Sequence, residues 1–424
     1  MTIANSSSST TDFVSGLFTQ RSVALSNDNT GSERLQAHLM VCVYARDASG
    51  IRNIFAQSQA GRLAESLLTP RYFPVHAAVV AGNGAVLDAL IRSLPVGALS
   101  VHDESDRTPL MCAAEHGQIA AIHKLLASQA PVDVTDQSGR TALMRAAASG
   151  AVGAVKVLLG YEVYADTHDE MQWVGIDKRD DNGDTSLMLA IRAGHHHVVE
   201  ALVKRGANIH IANTQGQQAL GLAVSLGRSR TVRLLCDQPD IDVNAVDHQG
   251  VTVVMHAAAY ADQSYDPSIL NLLLGRNGRT DLKDHSGCTA LLRAAKGNSD
   301  IAIEHLIAGG ADTHATDPEG RSALMLAAKH QNIYGLRFLL RQPGIWLEAQ
   351  DQYGRTPLWY AIYADNYEIV TELVQCGANV NALDNAHNES LMGLALRRGH
   401  RQVVNLLRDN GADRVVRESV ALAG

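Results

Sequence analysis

Positive charge is in short supply in this chain. It has 36 Lys and Arg against 44 Asp and Glu, a formal charge of −8. A nucleic-acid binder needs clustered cations to neutralise phosphates, and this balance argues against one. Aromatic residues make up only 4% of the 424 residues, a small share for a compact enzyme of this length, so small side chains must do much of the packing. Cysteine is scarce and widely spaced, at Cys42, Cys112, Cys236, Cys288 and Cys376, with no CxxC. An odd count at such spacings disfavours both structural zinc and a disulfide framework, and a reducing compartment fits better. No apolar run is long enough to span a bilayer. The opening MTIANSSSSTTDF lacks the early cation and apolar core of a secretory signal. Residues 1–32 read as a solvated Ser/Thr-rich tail, and the expected location is cytoplasmic.

What is present is a folded composition, 46% apolar and 19% charged, and one phrase written many times. The fragments RTPLMCAAEHG, RTALMRAAASG, DTSLMLAIRAG, RSALMLAAKHQ and RTPLWYAIYAD are variants of each other. With the Thr or its replacement as marker, the copies fall at Thr108, Thr141, Thr185, Gln218, Thr252, Thr289, Ser322, Thr356 and Glu389. The intervals are 33, 44, 33, 34, 37, 33, 34 and 33 residues. A weaker copy, FPVHAAVVAG, has its marker at Phe73. Five residues before the nine later markers stand Asp103, Asp136, Asp180, Asn213, Asp247, Asp284, Asp317, Asp351 and Asp384. Two residues before the marker, seven units carry Gly, among them Gly139, Gly216, Gly250 and Gly354. A tight turn needs both residues: Asp bonds backbone N–H groups two residues on, and Gly accepts positive φ. After each marker comes Leu and then paired small residues, as in Leu143, Ala146 and Ala147, a short helix whose small face lets another helix approach. A second apolar-periodic segment follows, such as Val198, Val199, Leu202 and Val203, usually closed by a Gly C-cap.

The pattern D-x-x-G-x-T-P-L-x-x-A-A…G-A resembles the ankyrin repeat over roughly residues 69–416. That resemblance implies an all-α solenoid with short β-hairpin fingers along one edge, its helices and fingertips forming a groove for a protein partner. Residues 33–68 then read as an N-terminal capping helix pair, and residues 69–418 as about ten repeat units with an insertion near 161–178. The Arg-rich last unit suits a C-terminal cap. The family's His slot, three residues after the Thr, is His only at His76. It is Met111, Met144, Met188, Met255, Met325 and Met392 in six other units. In the family the His ties the Thr hydroxyl to neighbouring backbone. A methionine there is expected only to fill space inside the stack, the alternative being a methionine binding stripe.

Two places depart from the period. The 44-residue interval holds the insertion, with Tyr161, Tyr164 and Trp173 beside Asp166, Asp169 and Glu170. It is either a binding loop or a tolerated long connection. The 37-residue interval carries extra residues near Tyr260–Asp266. Aromatics gather late in the chain: Tyr334, Phe338, Trp346, Tyr353, Trp359, Tyr360, Tyr363 and Tyr367 are eight of the nineteen. Phe338, Trp346, Trp359 and Tyr367 read equally well as core. Tyr353 falls on a fingertip and Tyr363 follows a small pair, and both positions face the groove in ankyrin repeats.

Other chemistry finds little support. Gly82-Asn-Gly84 lacks a third Gly and sits between two helices. No GxxxxGK[ST], HExxH, GxSxG or kinase signature occurs, and the His195–His197 run has no convergent second cluster. The leading expectation is therefore a non-catalytic interaction module without cofactor or metal. Its candidate contact residues are Gln137, Arg140, Trp173, Gln215, Gln217, His248, Gln249, Gln352, Tyr353, Arg355 and Tyr363. The alternatives are a regulatory subunit or inhibitor that covers a partner enzyme, and an enzyme whose active site lies in the N-terminal region. The T-A-L-M-x-A-A wording also resembles ankyrin-only proteins of the flagellate Giardia. That resemblance implies a cytoskeletal or kinase-linked partner and a cytoskeleton-associated location.

Overall fold

The computed structural model describes residues 31–57, 73–160, 175–259, 268–385 and 388–412. The tail at 1–30, most of the insertion including Tyr161, Tyr164 and Trp173, the extra residues near 260–266 and the stretch from 413 lie outside the described residues.

Contacts divide the chain into two compact units, Met1–Asp181 and Asn182–Gly424. The first holds α1 Gly31–Tyr44 and α2 Ala48–Gln57, α3 Pro74–Val80 and α4 Gly84–Ser93, α5 Pro109–Glu115 and α6 Ile119–Ala127, and α7 Ala142–Ser149 and α8 Val152–Leu158. The second holds α9 Ser186–Ala193 and α10 His196–Lys204, α11 Ala219–Ser225 and α12 Ser229–Cys236, α13 Val253–Ala259 and α14 Ser268–Leu274, and α15 Ala290–Lys296 and α16 Asp300–Ala308. It continues with α17 Ala323–Lys329 and α18 Ile333–Leu340, α19 Pro357–Tyr363 and α20 Tyr367–Gln375, and α21 Leu391–Arg398 and α22 Arg401–Asp409. Within each unit every first helix packs on its own second helix and on the first helix of the next pair, and second helices pack likewise. Each unit is thus a stack of helix pairs whose neighbours cover each other's apolar faces, since a single seven-residue helix is far too short to stand alone.

The sequence phrase explains the first helices. Thr141, Thr185, Thr289, Ser322 and Thr356 are N-caps whose hydroxyls accept the N–H of the third helical residue. The Leu and Ala that follow are buried: Leu143, Ala146 and Ala147 are each 0% exposed. Alanine at these positions is what allows successive helices to approach. Gln218, like Phe73, makes no side-chain cap bond. Replacing Gln218 with Thr is expected to stabilise by about 1 kcal/mol, the usual worth of a hydroxyl cap, read as a higher urea midpoint. In the last pair the cap is Ser390, not Glu389: its hydroxyl accepts from Gly393 N at 3.1 Å. The finger before it is one residue longer, closed by Asp384 N–H to Glu389 O. A Glu marker at 389 misplaces that helix start by one residue, because Ser is the better N-cap.

The slot methionines are all buried, from Met144 at 0% to Met392 at 3% exposed. In two pairs they do more than fill space. Met111 Sδ accepts the Thr108 N–H at 3.4 Å and Met255 Sδ the Thr252 N–H at 3.5 Å, so the thioether substitutes weakly for the imidazole. His76 itself donates to Arg107 O at 2.7 Å, reaching into the next repeat's finger.

The fingers are turns more than hairpins. Among the described residues only three antiparallel bridges form, Val246–Thr252, Thr316–Ser322 and Leu383–Ser390. Each turn is held from inside by its carboxylate or amide. Asp136 Oδ1 accepts from Ser138 N and Arg140 N at 2.8 and 3.0 Å, and Asp351 Oδ1 accepts from Tyr353 N and Arg355 N at 2.8 and 2.9 Å. Asn213 does the same at 3.0 Å to both Gln215 N and Gln217 N. Successive fingers are then bonded tip to tip: His248 N to Gln215 O, His285 N to Gln249 O, Gln352 N to Glu319 O, and Asn385 N to Tyr353 O. Pro318 occupies the equivalent donor position beside Gly287 and has no N–H to give, so the ladder skips a rung there.

Candidate protein-binding surface

In four fingers the second carboxylate oxygen of the Asp points to the first helix, and the residue nine positions on meets it; in the fingers of Asp103 and Asp317 it takes Arg107 and Arg321 instead. Asp136 pairs with Arg145, Asp284 with Arg293, Asp247 Oδ2 with His256 Nε2 at 3.1 Å, and Asp351 Oδ2 accepts the Tyr360 hydroxyl at 2.7 Å. Fingertip and helix face are thereby one rigid surface. The unnamed x of the T-A-L-M-x-A-A phrase supplies that donor. Burial raises the Tyr360 phenol first, and its bond to Asp351 raises it further. His256 is pushed below its ordinary value by burial, partly offset by Asp247.

The predicted contact residues lie on the fingers as follows. Gln137 is exposed and its amide donates to Glu104 O at 3.2 Å. Arg140 is half-buried and bonds Asp180 Oδ2 at 3.2 Å. Gln215, His248, Gln249 and Gln352 are exposed at the tips, with backbones in the tip-to-tip bonds. Gln217 is half-buried beside Asn213. Trp173 is outside the described residues.

Tyr353, Arg355 and Tyr363 are brought together, and two residues not proposed for contact from the sequence join them. The Arg355 guanidinium lies 4.7 Å from the Tyr353 ring centre and 4.2 Å from that of Trp359. Trp359 stacks on Tyr363 at 5.0 Å with 10° between planes. The Arg398 guanidinium lies 4.3 Å over the far side of Tyr363. Tyr353, Arg355, Trp359, Tyr363 and Arg398 thus form one column of three rings and two cations from fingertip to the next first helix. Tyr353 and Tyr363 are 43% and 45% exposed, whereas Trp359 at 6% is the buried keel. Two N–H donors of the column, Arg355 Nε and Trp359 Nε1, have no acceptor among the described residues. The core reading holds for Trp359 and fails for Trp346 and Tyr367, which are 60% and 44% exposed. Trp346 stands on the connection after α18, edge-on to the His314 ring at 4.4 Å. Arg398 reads from the sequence as part of a polar cap. Its spacing of one period from Tyr363 is the only sequence signal of their contact.

One set of metal-type ligands approaches within 4.8 Å among the described residues: His76, Asp103 and Cys112. Each is already engaged. His76 donates to Arg107 O, Asp103 Oδ2 accepts from Arg107 Nε at 2.9 Å, and burial pushes the Cys112 thiol up to about 11. A protonated thiol and a guanidinium-paired carboxylate are poor ligands.

The family model for ankyrin repeats in three copies matches residues 75–171, 168–247, 254–351 and 346–418. This chain belongs to the ankyrin-repeat family. The ankyrin array is 28% identical over 254 residues to the E3 ubiquitin-protein ligase KEG of Arabidopsis thaliana, covering 57% of this chain and 15% of that protein. It is 29% identical over 231 residues to the nuclear factor NF-kappa-B p105 subunit of Gallus gallus, covering 51% and 23%. It is 34% identical over 167 residues to neurogenic locus notch homolog protein 1 of Homo sapiens, covering 39% and 6%. The matched ankyrin stretch is under a quarter of the length of each of these relatives. Among the described residues no helix is long and apolar enough to cross a membrane.

Proposed function

We propose that this chain is a non-catalytic protein-interaction module that holds a partner against its fingertips and first helices, as a scaffold or adaptor. The observation that carries the reading is the column Tyr353–Arg355–Trp359–Tyr363–Arg398. Rings and a guanidinium fixed by mutual stacking present a large contact area with little freedom left to lose on binding, which is the profile of an interface hot spot. The relatives support the reading only through what they share with this chain, the repeat itself. The ligase, nuclear-factor and notch names attach to proteins in which the matched stretch is a small part. A reducing, cytoplasmic setting accords with five unpaired thiols, four of them buried.

The double substitution Tyr353→Ala and Tyr363→Ala removes both exposed rings and leaves the buried Trp359 in place. Partner proteins cross-linked to the full chain in cell extract are expected to fall by more than about tenfold, since hot-spot residues are worth about 2 kcal/mol or more each. The helical circular-dichroism signal should not change. Equal recovery by parent and variant would remove the column from the recognition surface.

A further inference from the structure

Several cations near this face make no ion pair among the described residues. Arg321 is satisfied by Asp317 and Glu319 at 2.7 and 2.9 Å, Arg293 by Asp284, and Arg397 by Glu389 at 2.7 Å. Four others take no carboxylate among the described residues. Lys296 ends α15 and is exposed, and Lys329 ends α17 with its ammonium 5.9 Å from the Tyr360 ring. Arg355 and Arg398 lie in the column with their guanidinium carbons 4.2 Å from the Trp359 and 4.3 Å from the Tyr363 ring centres. These four sit on four consecutive repeats of a chain whose total charge is −8. Lys329 is held below the usual lysine value, first by burial and then by Arg321 and Lys296, and His330 is lowered by burial and by Lys329 and Lys296. At Lys329 the repulsion from Arg321 and Lys296 outweighs the attraction of Asp317 and Glu319, which are already bonded to Arg321.

We propose that this ridge is built for an acidic, extended protein segment, which rests on the protein-binding reading above and supplies the partner's chemistry. Arg398 is exposed beside the Tyr363 ring, and a guanidinium there grips a carboxylate with two parallel bonds. The exposed Lys296 and Arg398 side chains supply donors at this surface. Spacing adds a constraint. Packed first helices lie about 8–10 Å apart, and an extended chain advances about 3.3 Å per residue. One carboxylate for roughly every third partner residue would meet Lys296, Lys329, Arg355 and Arg398 in turn. The tyrosine edges at Tyr353 and Tyr363 take apolar side chains between them. A single-stranded nucleic acid fits less well, because its bases need open ring faces to stack on. Here Tyr363 is covered by Trp359 on one side and Arg398 on the other.

The test uses the full chain with fluorescent poly-L-glutamate as probe, and poly-L-glutamine segments and single-stranded DNA of equal charge as comparisons. Anisotropy is expected to report poly-glutamate binding that weakens as salt rises from about 50 to about 300 mM, as screening requires. Two variants, Lys296→Glu with Lys329→Glu, and Arg398→Glu alone, should each weaken it by about tenfold or more, with an unchanged thermal melt. Lys296 and Arg398 are exposed and Lys329 is half-buried at a helix end, so the fold is expected to survive each change. Equal binding of poly-glutamate by parent and reversal variants overturns the proposal, as does tighter binding of the DNA. So does salt-sensitive self-association lost in the variants, which would make the occupant a second copy of this chain. If the reversals leave cross-linked partners unchanged while Tyr353→Ala with Tyr363→Ala abolishes them, the acidic assignment fails and the protein-binding reading stands. If neither set of variants alters partner capture, the reading itself fails.

Discussion

Valine in place of Gly216 should cost the second unit about 3 kcal/mol or more of stability. Gly216 sits at φ 79°, and a Cβ there would meet both the ring Cδ2 and the backbone N of His248 at 2.5 Å. Three penalties coincide. A β-branched residue in the left-handed region costs about 1–2 kcal/mol. The finger cannot relax away, because its own backbone is tied by Asn213 to Gln215 N and Gln217 N. Movement of His248 would break its N–H bond to Gln215 O, about another 1 kcal/mol. The loss should appear as a lower urea midpoint, with faster amide exchange at His248 and neighbouring tips. Gly250→Val, at φ 72° beside His285, should behave alike but more mildly, since its Cβ meets the His285 N at 3.1 Å. An unchanged midpoint for both variants would refute the finger geometry.

Removing the Asp284 carboxylate is the second large effect. Its side chain is 0% exposed. Oδ1 accepts from Ser286 N and Oγ and from Cys288 N at 2.7–2.9 Å, while Oδ2 holds the Arg293 guanidinium. Asp284→Ala leaves those turn donors and a largely covered cation unpaired, for which about 3 kcal/mol is expected. Asp284→Asn keeps an oxygen for the turn, as Asn213 does in its own finger, and should lose only the ion pair, about 1 kcal/mol. The two variants also separate in acid. Burial alone would raise the Asp284 carboxyl, but the bonds from Ser286, Cys288 and Arg293 outweigh it and hold the group below its ordinary value. A depressed folded value means stability that is complete above the unfolded carboxyl range near 3.9 and is lost as pH falls through the lower folded value. Asp103 is depressed in the same way, burial being outweighed by bonds from Arg107 and Ser105. Urea midpoints of the parent should therefore fall between about pH 5 and pH 3. The Asn variant should fall less steeply over that window, and equal slopes would show that Asp284 titrates no differently in the folded state.

Period, turn chemistry and helix caps were legible in the residues because each is a local demand. Asp at one position and Gly three later satisfy a turn that involves no other part of the chain, and Thr before Leu and paired Ala caps a helix that starts beside it. Burial of the slot methionines followed from the same register. The last repeat slipped by one, at Glu389 rather than Ser390, because one extra finger residue leaves the surrounding phrase intact.

The composition of the candidate surface was less legible, and the reason is distance along the chain. Tyr353 and Tyr363 could be placed on a tip and a helix from their own repeat. Arg398 comes 35 positions after Tyr363, and nothing in its local sequence distinguishes a cation stacked on a ring from one facing water. The same holds for Lys296, Lys329, Arg355 and Arg398, which make no ion pair among the described residues, a property no single repeat displays. Local pattern decided that this chain is an ankyrin array, since every repeat carries its own instructions for turn and helix. Which side chains share a face, and with what net charge, was decided only by stacking, because helix packing sets residues a full period apart in contact at a register that no single repeat encodes.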